Sequence, residues 1–166
     1  MKKIFVAICV LFMFATAAHS GESATPQEIF ENVLKGMVVL EELGEEGLAA
    51  FNDPKGEFVW KDTYVQVYNC EAQKIVGHIN PKLLGWTTEK FATLQDKKGN
   101  FICKNICEAS KNPNGGWVEY WWPKAGETEP SRKITFVVQV PGQPYQVSAG
   151  IYDDKVSLEE LKKISE

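Results

Sequence analysis

From Thr25 onward, Phe30, Val33, Leu34, Met37, Leu40, Gly44, Leu48 and Phe51 recur at steps of three or four, with polar and acidic residues between them. That spacing is the stripe of an amphipathic helix. Thr25-Pro26-Gln27-Glu28 reads as a capping box with proline at the first helical position. A long helix is therefore predicted from about Thr25 to Ala50. Gly44 and Gly47 weaken its second half, so a kink or break is expected there.

Beyond the turn Asn52-Asp53-Pro54-Lys55-Gly56 the period shortens to two. Phe58 to Trp60 is a short strand. Thr63 to Asn69 is a stronger one, and Lys74 to Ile79 pairs with it across a short loop, ending at Asn80-Pro81. Pro81 to Trp86 fits one helical turn, Phe91 to Leu94 is indeterminate, and Phe101 to Ser110 reads as a helix. Three strands follow: Gly116 to Pro123, Arg132 to Val140 and Tyr145 to Tyr152, rich in aromatic and β-branched residues and separated by short turns. Short connections favour antiparallel pairing. Ser157-Leu158-Glu159-Glu160 is a second capping box, opening a terminal helix with Leu158, Leu161 and Ile164 on one face. Long helix, strands, helical crossover and three-stranded meander make an α+β domain with one antiparallel sheet.

Alternation puts Trp117, Glu119 and Trp121 on one face of the first meander strand, and Val118, Tyr120 and Trp122 on the other. Both sets carry large aromatics, so both faces need cover. One takes a helix; the other takes core, a small ligand or a partner.

The first twenty residues change the compartment. Lys2 and Lys3 precede the apolar run Ile4 to Ala18, and Ala18-His19-Ser20 ends in small residues at −3 and −1. This reads as a secretory signal peptide cut near Ser20, leaving one domain over residues 21–166. Removing Lys2 and Lys3 takes the formal charge from −4 to −6. An acidic chain without a basic run is not built for nucleic acid. No second apolar run of membrane length follows, so the mature protein is expected to be periplasmic or secreted, without a membrane span.

Export favours a disulfide among Cys70, Cys103 and Cys107. Three cysteines allow one bond and one thiol. Cys103 and Cys107 are a helical turn apart, so Cys70 can reach either; the expected pair is Cys70–Cys107, with Cys103 reduced. Without a Cys-x-x-Cys or a second ligand pair, no metal or other cofactor is expected. The mature chain holds only His78 as a histidine and has no nucleophile, zinc-protease or phosphate-loop motif, so catalysis is not expected. A glycan- or protein-binding surface on Trp117, Trp121 and Trp122 is an alternative that requires the rings exposed in a row. A small-molecule site takes aromatic walls and a few polar groups. Tyr120 and Trp122 supply walls on one face. His78 and Trp86 lie on the hairpin exit and its loop. Arg132 or Lys133 can meet a carboxylate, but neighbours on a strand alternate, so only one faces the site. The plain alternatives are a hydrogen-bonded turn histidine for His78 and a solvated surface lysine for Lys133.

Several stretches together resemble one family. They are Gly47-Leu48-Ala49-Ala50-Phe51 followed by Phe58; Tyr64-Val65-Gln66-Val67-Tyr68 followed by Gly77-His78-Ile79-Asn80-Pro81 and Leu84-Gly85; and Asp96-x-x-Gly99 before Phe101. Gly116 to Pro123, Arg132 to Phe136 and Ala149-Gly150-Ile151-Tyr152 continue the series. In order and spacing they resemble a single Cache domain, the extracytoplasmic sensor module of bacterial chemoreceptors and sensor kinases. The resemblance implies a PAS-like fold, with a long N-terminal helix behind a central antiparallel sheet and a small-metabolite site on the other face. It implies a ligand such as a short carboxylate, favours Lys133 as the basic group, and implies a role in signal transduction or chemotaxis. Cys70 departs from the acidic or Gly-containing turn usual at that hairpin end. Family receptors continue into a membrane span and signalling domain, so a chain ending at Glu166 is expected to be a stand-alone module reporting through a membrane receptor or sensor kinase.

Overall fold

The computed structural model describes residues 22–166. The signal peptide expected over residues 1–20 lies outside the described residues. Helix α1 spans Pro26–Leu43. Thr25 Oγ1 accepts from the Glu28 amide, and the Glu28 carboxylate accepts from the Thr25 amide, closing the capping box. The α-helix is shorter than the predicted Thr25–Ala50. It stops because Gly44 sits at φ +55°, a backbone region a side chain disfavours. A 3₁₀ segment, Gly44–Phe51, completes the stretch and drives Phe51 into the core, stacked on Phe58 at 4.4 Å.

Strands β1 (Val59–Trp60), β2 (Thr63–Asn69) and β3 (Lys74–Gly77) come next, β3 stopping two residues short of the predicted end. Helices α2 (Pro81–Leu84), α3 (Thr88–Thr93) and α4 (Ile102–Ala109) lead into β4 (Gly116–Pro123), β5 (Pro130–Gln139), β6 (Gln146–Tyr152) and α5 (Leu158–Ser165). The antiparallel sheet has the order β1-β2-β6-β5-β4, with β3 also paired to β2. The last strand, β6, therefore lies between β2 and β5 and joins the hairpin to the meander.

Period-2 alternation divides the sheet. Val65, Val67, Phe136, Val147, Ala149 and Trp117 face one way and pack with Ile29, Val33 and Leu40 of α1 and Leu161 of α5. Each fully buried aliphatic side chain there contributes about 1.5–3 kcal/mol. On the opposite face Tyr68, Val118, Tyr120 and Val137 pack with Phe91 of α3 and Ile102, Cys103 and Ile106 of α4. Cys70, just beyond β2, is bonded to Cys107 on α4 with Cα atoms 5.8 Å apart, and Cys103 is a buried thiol. Closing a loop of this length stabilises by about 4 kcal/mol on the chain-entropy model. Among the described residues no helix is long and apolar enough to cross a membrane.

Candidate functional site

The face away from α1 holds a cavity walled on one side by the sheet and on the other by the segment between β3 and α4. Tyr64, Gln66 and Tyr68 of β2, Tyr120 and Trp122 of β4 and Lys133 of β5 form the sheet wall. Ile75, His78, Leu83, Trp86, Leu94, Ile102 and Cys103 form the other. All five ligand-site residues expected from the sequence, His78, Trp86, Tyr120, Trp122 and Lys133, thus line one space. Its interior has a volume of about 30 Å³. A wider mouth beside it admits about 390 Å³ and shares Tyr64, His78, Leu83, Trp122 and Lys133 with it. The narrow inner space suits a ligand of a few heavy atoms, at the small end of ligand sites.

Register explains why the lysine is inside. Tyr120 of β4, Lys133 of β5 and Tyr152 of β6 are cross-strand partners and share the cavity face. Lys133 is 5% exposed. Its Nζ lies 5.3 Å from the Tyr64 ring centre and 5.1 Å from that of Tyr152, between two aromatic faces that favour a cation. Gly150 makes the crossing possible: a Cβ there would lie 3.1 Å from Lys133 Cε and 2.7 Å from the Ile134 carbonyl oxygen. Among the described residues no carboxylate is within ion-pairing distance of Lys133. Burial therefore dominates and lowers its pKa to about 8, with Asp62 pulling weakly the other way. Arg132 points to the opposite face. Its Nε donates to Glu119 at 2.6 Å and its Nη1 to the Asp153 and Val156 carbonyls, tying β4 and β5 to the approach of α5.

His78 is both a turn histidine and a cavity residue. Its Nδ1 accepts from the Asn80 amide at 2.8 Å, and its own amide donates to Asn52 Oδ1 at 2.9 Å. Burial and the nearby Lys133 lower its pKa to about 4, so the ring is neutral at pH 7. With Nδ1 accepting, the proton of a neutral ring sits on Nε2. That Nε2 is buried without a hydrogen-bond partner. The two walls therefore each hold a polar group that donates and lacks an acceptor, the Lys133 ammonium and the His78 Nε2–H. A buried donor left unpaired costs about 1–3 kcal/mol, so both gain from an anion with acceptor oxygens.

Tyr120 Oη is 3.0 Å from Thr135 Oγ1, and Tyr152 Oη donates to the Pro123 carbonyl at 2.7 Å. Both hydroxyls are engaged with the sheet, and burial raises the pKa of both phenols. Trp86 is covered by Lys90, whose Nζ lies 4.3 Å from its ring. Burial pushes the Cys103 thiol up to about 12, so it is uncharged at neutral pH. The sequence reading missed Tyr64, Gln66 and Tyr68. Their signal was the polar and aromatic half of the alternation in Tyr64-Val65-Gln66-Val67-Tyr68. The three meander tryptophans do not form one exposed row: Trp117 is in the α1-side core, Trp122 in the cavity, and Trp121 lies under Lys98. No group of three His, Cys, Asp or Glu side chains among the described residues is placed to hold a metal ion.

The family model for the Cache domain matches residues 54–157, most of the chain. The methyl-accepting chemotaxis protein McpP of Pseudomonas putida is 23% identical over 103 residues, which cover 62% of this chain and 18% of that protein. The match thus spans under a fifth of that relative's length. Two solved structures share the fold. One is a Cache chemosensory domain solved for its recognition of carboxylic acids, with TM-score 0.57, 23% identity, and coverage of 75% of this chain and 86% of that one. The other is a periplasmic sensor domain of a chemotaxis protein, with TM-score 0.55, 24% identity, and coverage of 75% and 88%.

Proposed function

The chain belongs to the Cache domain family, and we propose that it is an exported, non-catalytic sensor module that binds a short monocarboxylate between the sheet and the β3–α4 segment. The observation that carries this reading is that His78 Nε2–H, buried without a hydrogen-bond partner, and Lys133, a buried lysine with no ion pair among the described residues, line one small aromatic cavity. A carboxylate brings two acceptor oxygens and one negative charge, which answers both donors and the buried ammonium together. Its short alkyl tail then meets Leu83, Trp86 and Ile102. The small space disfavours a long or branched acid. A carbonyl compound without charge would leave the ammonium uncompensated.

The apolar run at residues 4–18 supports export to the periplasm, with the domain reporting its ligand through a membrane receptor or sensor kinase. The relatedness to chemotaxis receptors supports that partner class. Calorimetric titration of the purified protein with acetate, propionate, butyrate and their amides tests the reading. Binding of the acids and not of the amides is expected. Equal binding of acid and amide, or no binding of any acid, rejects the carboxylate assignment. Turnover of a bound acid, lost with His78→Ala in a folded variant, rejects the non-catalytic part.

A further inference from the structure

The Cys70–Cys107 bond joins residues 37 apart in sequence, and the chain between them forms one entire wall of the cavity. Seven of the thirteen lining residues, from Ile75 to Cys103, lie between the two half-cystines; the other six stand on β2, β4 and β5. The sheet wall is held by continuous ladders between β2, β6, β5 and β4. The facing wall has backbone pairing to the sheet through the four-residue strand β3 at its start. Further along, the Trp121 amide donates to Asp96 Oδ2 at 3.0 Å and Lys97 Nζ donates to the Pro130 carbonyl at 3.0 Å; with the His78 amide on Asn52, side-chain packing makes up most of the remaining attachment. The disulfide is the covalent tie at its far end.

We propose that this disulfide is a reducible latch on the ligand site: opening it with a dithiol loosens the 71–106 wall and weakens ligand binding. The proposal rests on the reading of the cavity as the ligand site. Access favours it. Cys70 and Cys107 are half-buried and border an outer groove that admits about 540 Å³. Lys104 and Lys111 line the same groove with Glu71 and Glu108, Lys111 being paired to Glu108 at 2.6 Å, so what the groove offers a reductant is access rather than a net positive field. Cys103, one turn back on α4, faces the cavity instead. A buried, protonated thiol does not attack the bond from within, so the chemistry comes from the groove side.

The exchange balances with a dithiol as the reductant. One thiolate of the dithiol attacks one sulfur of the pair, the S–S bond breaks, and its electron pair leaves on the other cysteine. The second thiolate attacks the mixed disulfide. The products are the thiols of Cys70 and Cys107 and an oxidised dithiol; two electrons and two protons have passed to the protein. Linkage makes the coupling reciprocal: a ligand that prefers the latched cavity protects the bond by the factor that opening costs in affinity.

Amide hydrogen exchange and propionate titration, on the oxidised protein, the dithiothreitol-reduced protein and a Cys70→Ser/Cys107→Ser variant, test this. We expect exchange to rise in residues 71–106 while α1 and β4–β6 stay protected, and the propionate Kd to rise by about tenfold or more, within the usual range of site couplings. The double variant should match the reduced protein. Unchanged exchange in 71–106, an unchanged Kd, or uniform loss of protection across the domain overturns the latch; the last would make the bond a global staple. Failure of the oxidised protein to bind any carboxylate sinks the ligand reading separately, and the exchange pattern alone then decides the latch.

Discussion

Replacing Lys133 with methionine should cost affinity far more than stability. The side chain is 5% exposed, and burial brings its pKa to about 8 from 10.5. That difference is a penalty of about 3 kcal/mol on the charged form at neutral pH. Methionine keeps most of the stem and removes the charge. It also removes the contacts of the ammonium with the Tyr64 and Tyr152 rings, each about 0.5–2 kcal/mol. The balance is a ligand-free protein between about 1 kcal/mol less and about 2 kcal/mol more stable than the wild type. For a domain of this size each kcal/mol raises the melting midpoint by about 2–4 °C. Carboxylate binding loses its buried charge partner, which costs about 2–5 kcal/mol. That is roughly a 30- to 5,000-fold weaker Kd. Calorimetry with propionate and thermal melts without ligand measure the two sides. A Lys133→Met protein that binds as tightly as the wild type refutes the carboxylate assignment. A midpoint lower than this balance allows shows that the ammonium holds the fold together, and the energetic argument fails with it.

Two pH dependences follow from the same cavity. Lys133 loses its proton at about 8 in the free protein, so carboxylate affinity should be flat from pH 6 to 7 and fall by about tenfold per pH unit well above 8, read by titration calorimetry. Lys133→Met should abolish that slope. His78 titrates at about 4 when folded against 6.5 as a free side chain. The unfolded chain takes up that proton first, so the contribution is intact above about pH 6.5 and is lost as the pH falls to 4, by about 3 kcal/mol. Urea denaturation of wild type and His78→Gln at pH 7 and pH 4.5 measures it; an equal acid loss in both proteins shows that burial of the imidazole is not its cause.

The sequence made legible those elements whose local chemistry and packing agree. Gly116–Pro123 has turn residues at its start and large side chains on both faces, and it is a strand over that span. Thr25-x-x-Glu28 and Ser157-x-x-Glu160 are capping boxes because a cap is decided within four residues. Helix α3 escaped because it is six residues long and buries only Phe91, too little to mark a period. The placement of β6 against β2 rests on pairing across some eighty residues of chain, which no local pattern encodes. The cavity was half legible. Lys133 and Tyr120 follow from alternation on adjacent strands, whereas Tyr64 and Gln66 join them only through that long-range pairing. The choice between Arg132 and Lys133 was settled by register, which commits Arg132 to Glu119 on the far face.

The two donors stand on different walls. Lys133 is on β5, in the middle of a sheet held by ladders on both sides, whereas His78 follows β3 at the start of the segment that leads to α2, α3 and α4. A ligand that met only the lysine would bind without distinguishing one placement of the facing wall from another. On the proposed reading, a carboxylate answered by both groups is bound more tightly when the walls are close. That difference in affinity is the only free energy a ligand can pass on to a partner. The His78 amide is itself held by Asn52, at the end of the 3₁₀ segment that continues α1. On the same reading, a shift of His78 toward the ligand would be felt at the backbone that follows α1, the helix packed across the opposite face of the sheet. One hydrogen bond and the stacked rings of Phe51 and Phe58 link His78 to the 3₁₀ segment after α1, in addition to the packing of α1 on the sheet. Asn52→Ala should accordingly weaken the response of α1 to ligand, read as amide exchange in residues 26–43, more than it weakens binding itself; a loss of binding with the α1 response intact would place the route elsewhere.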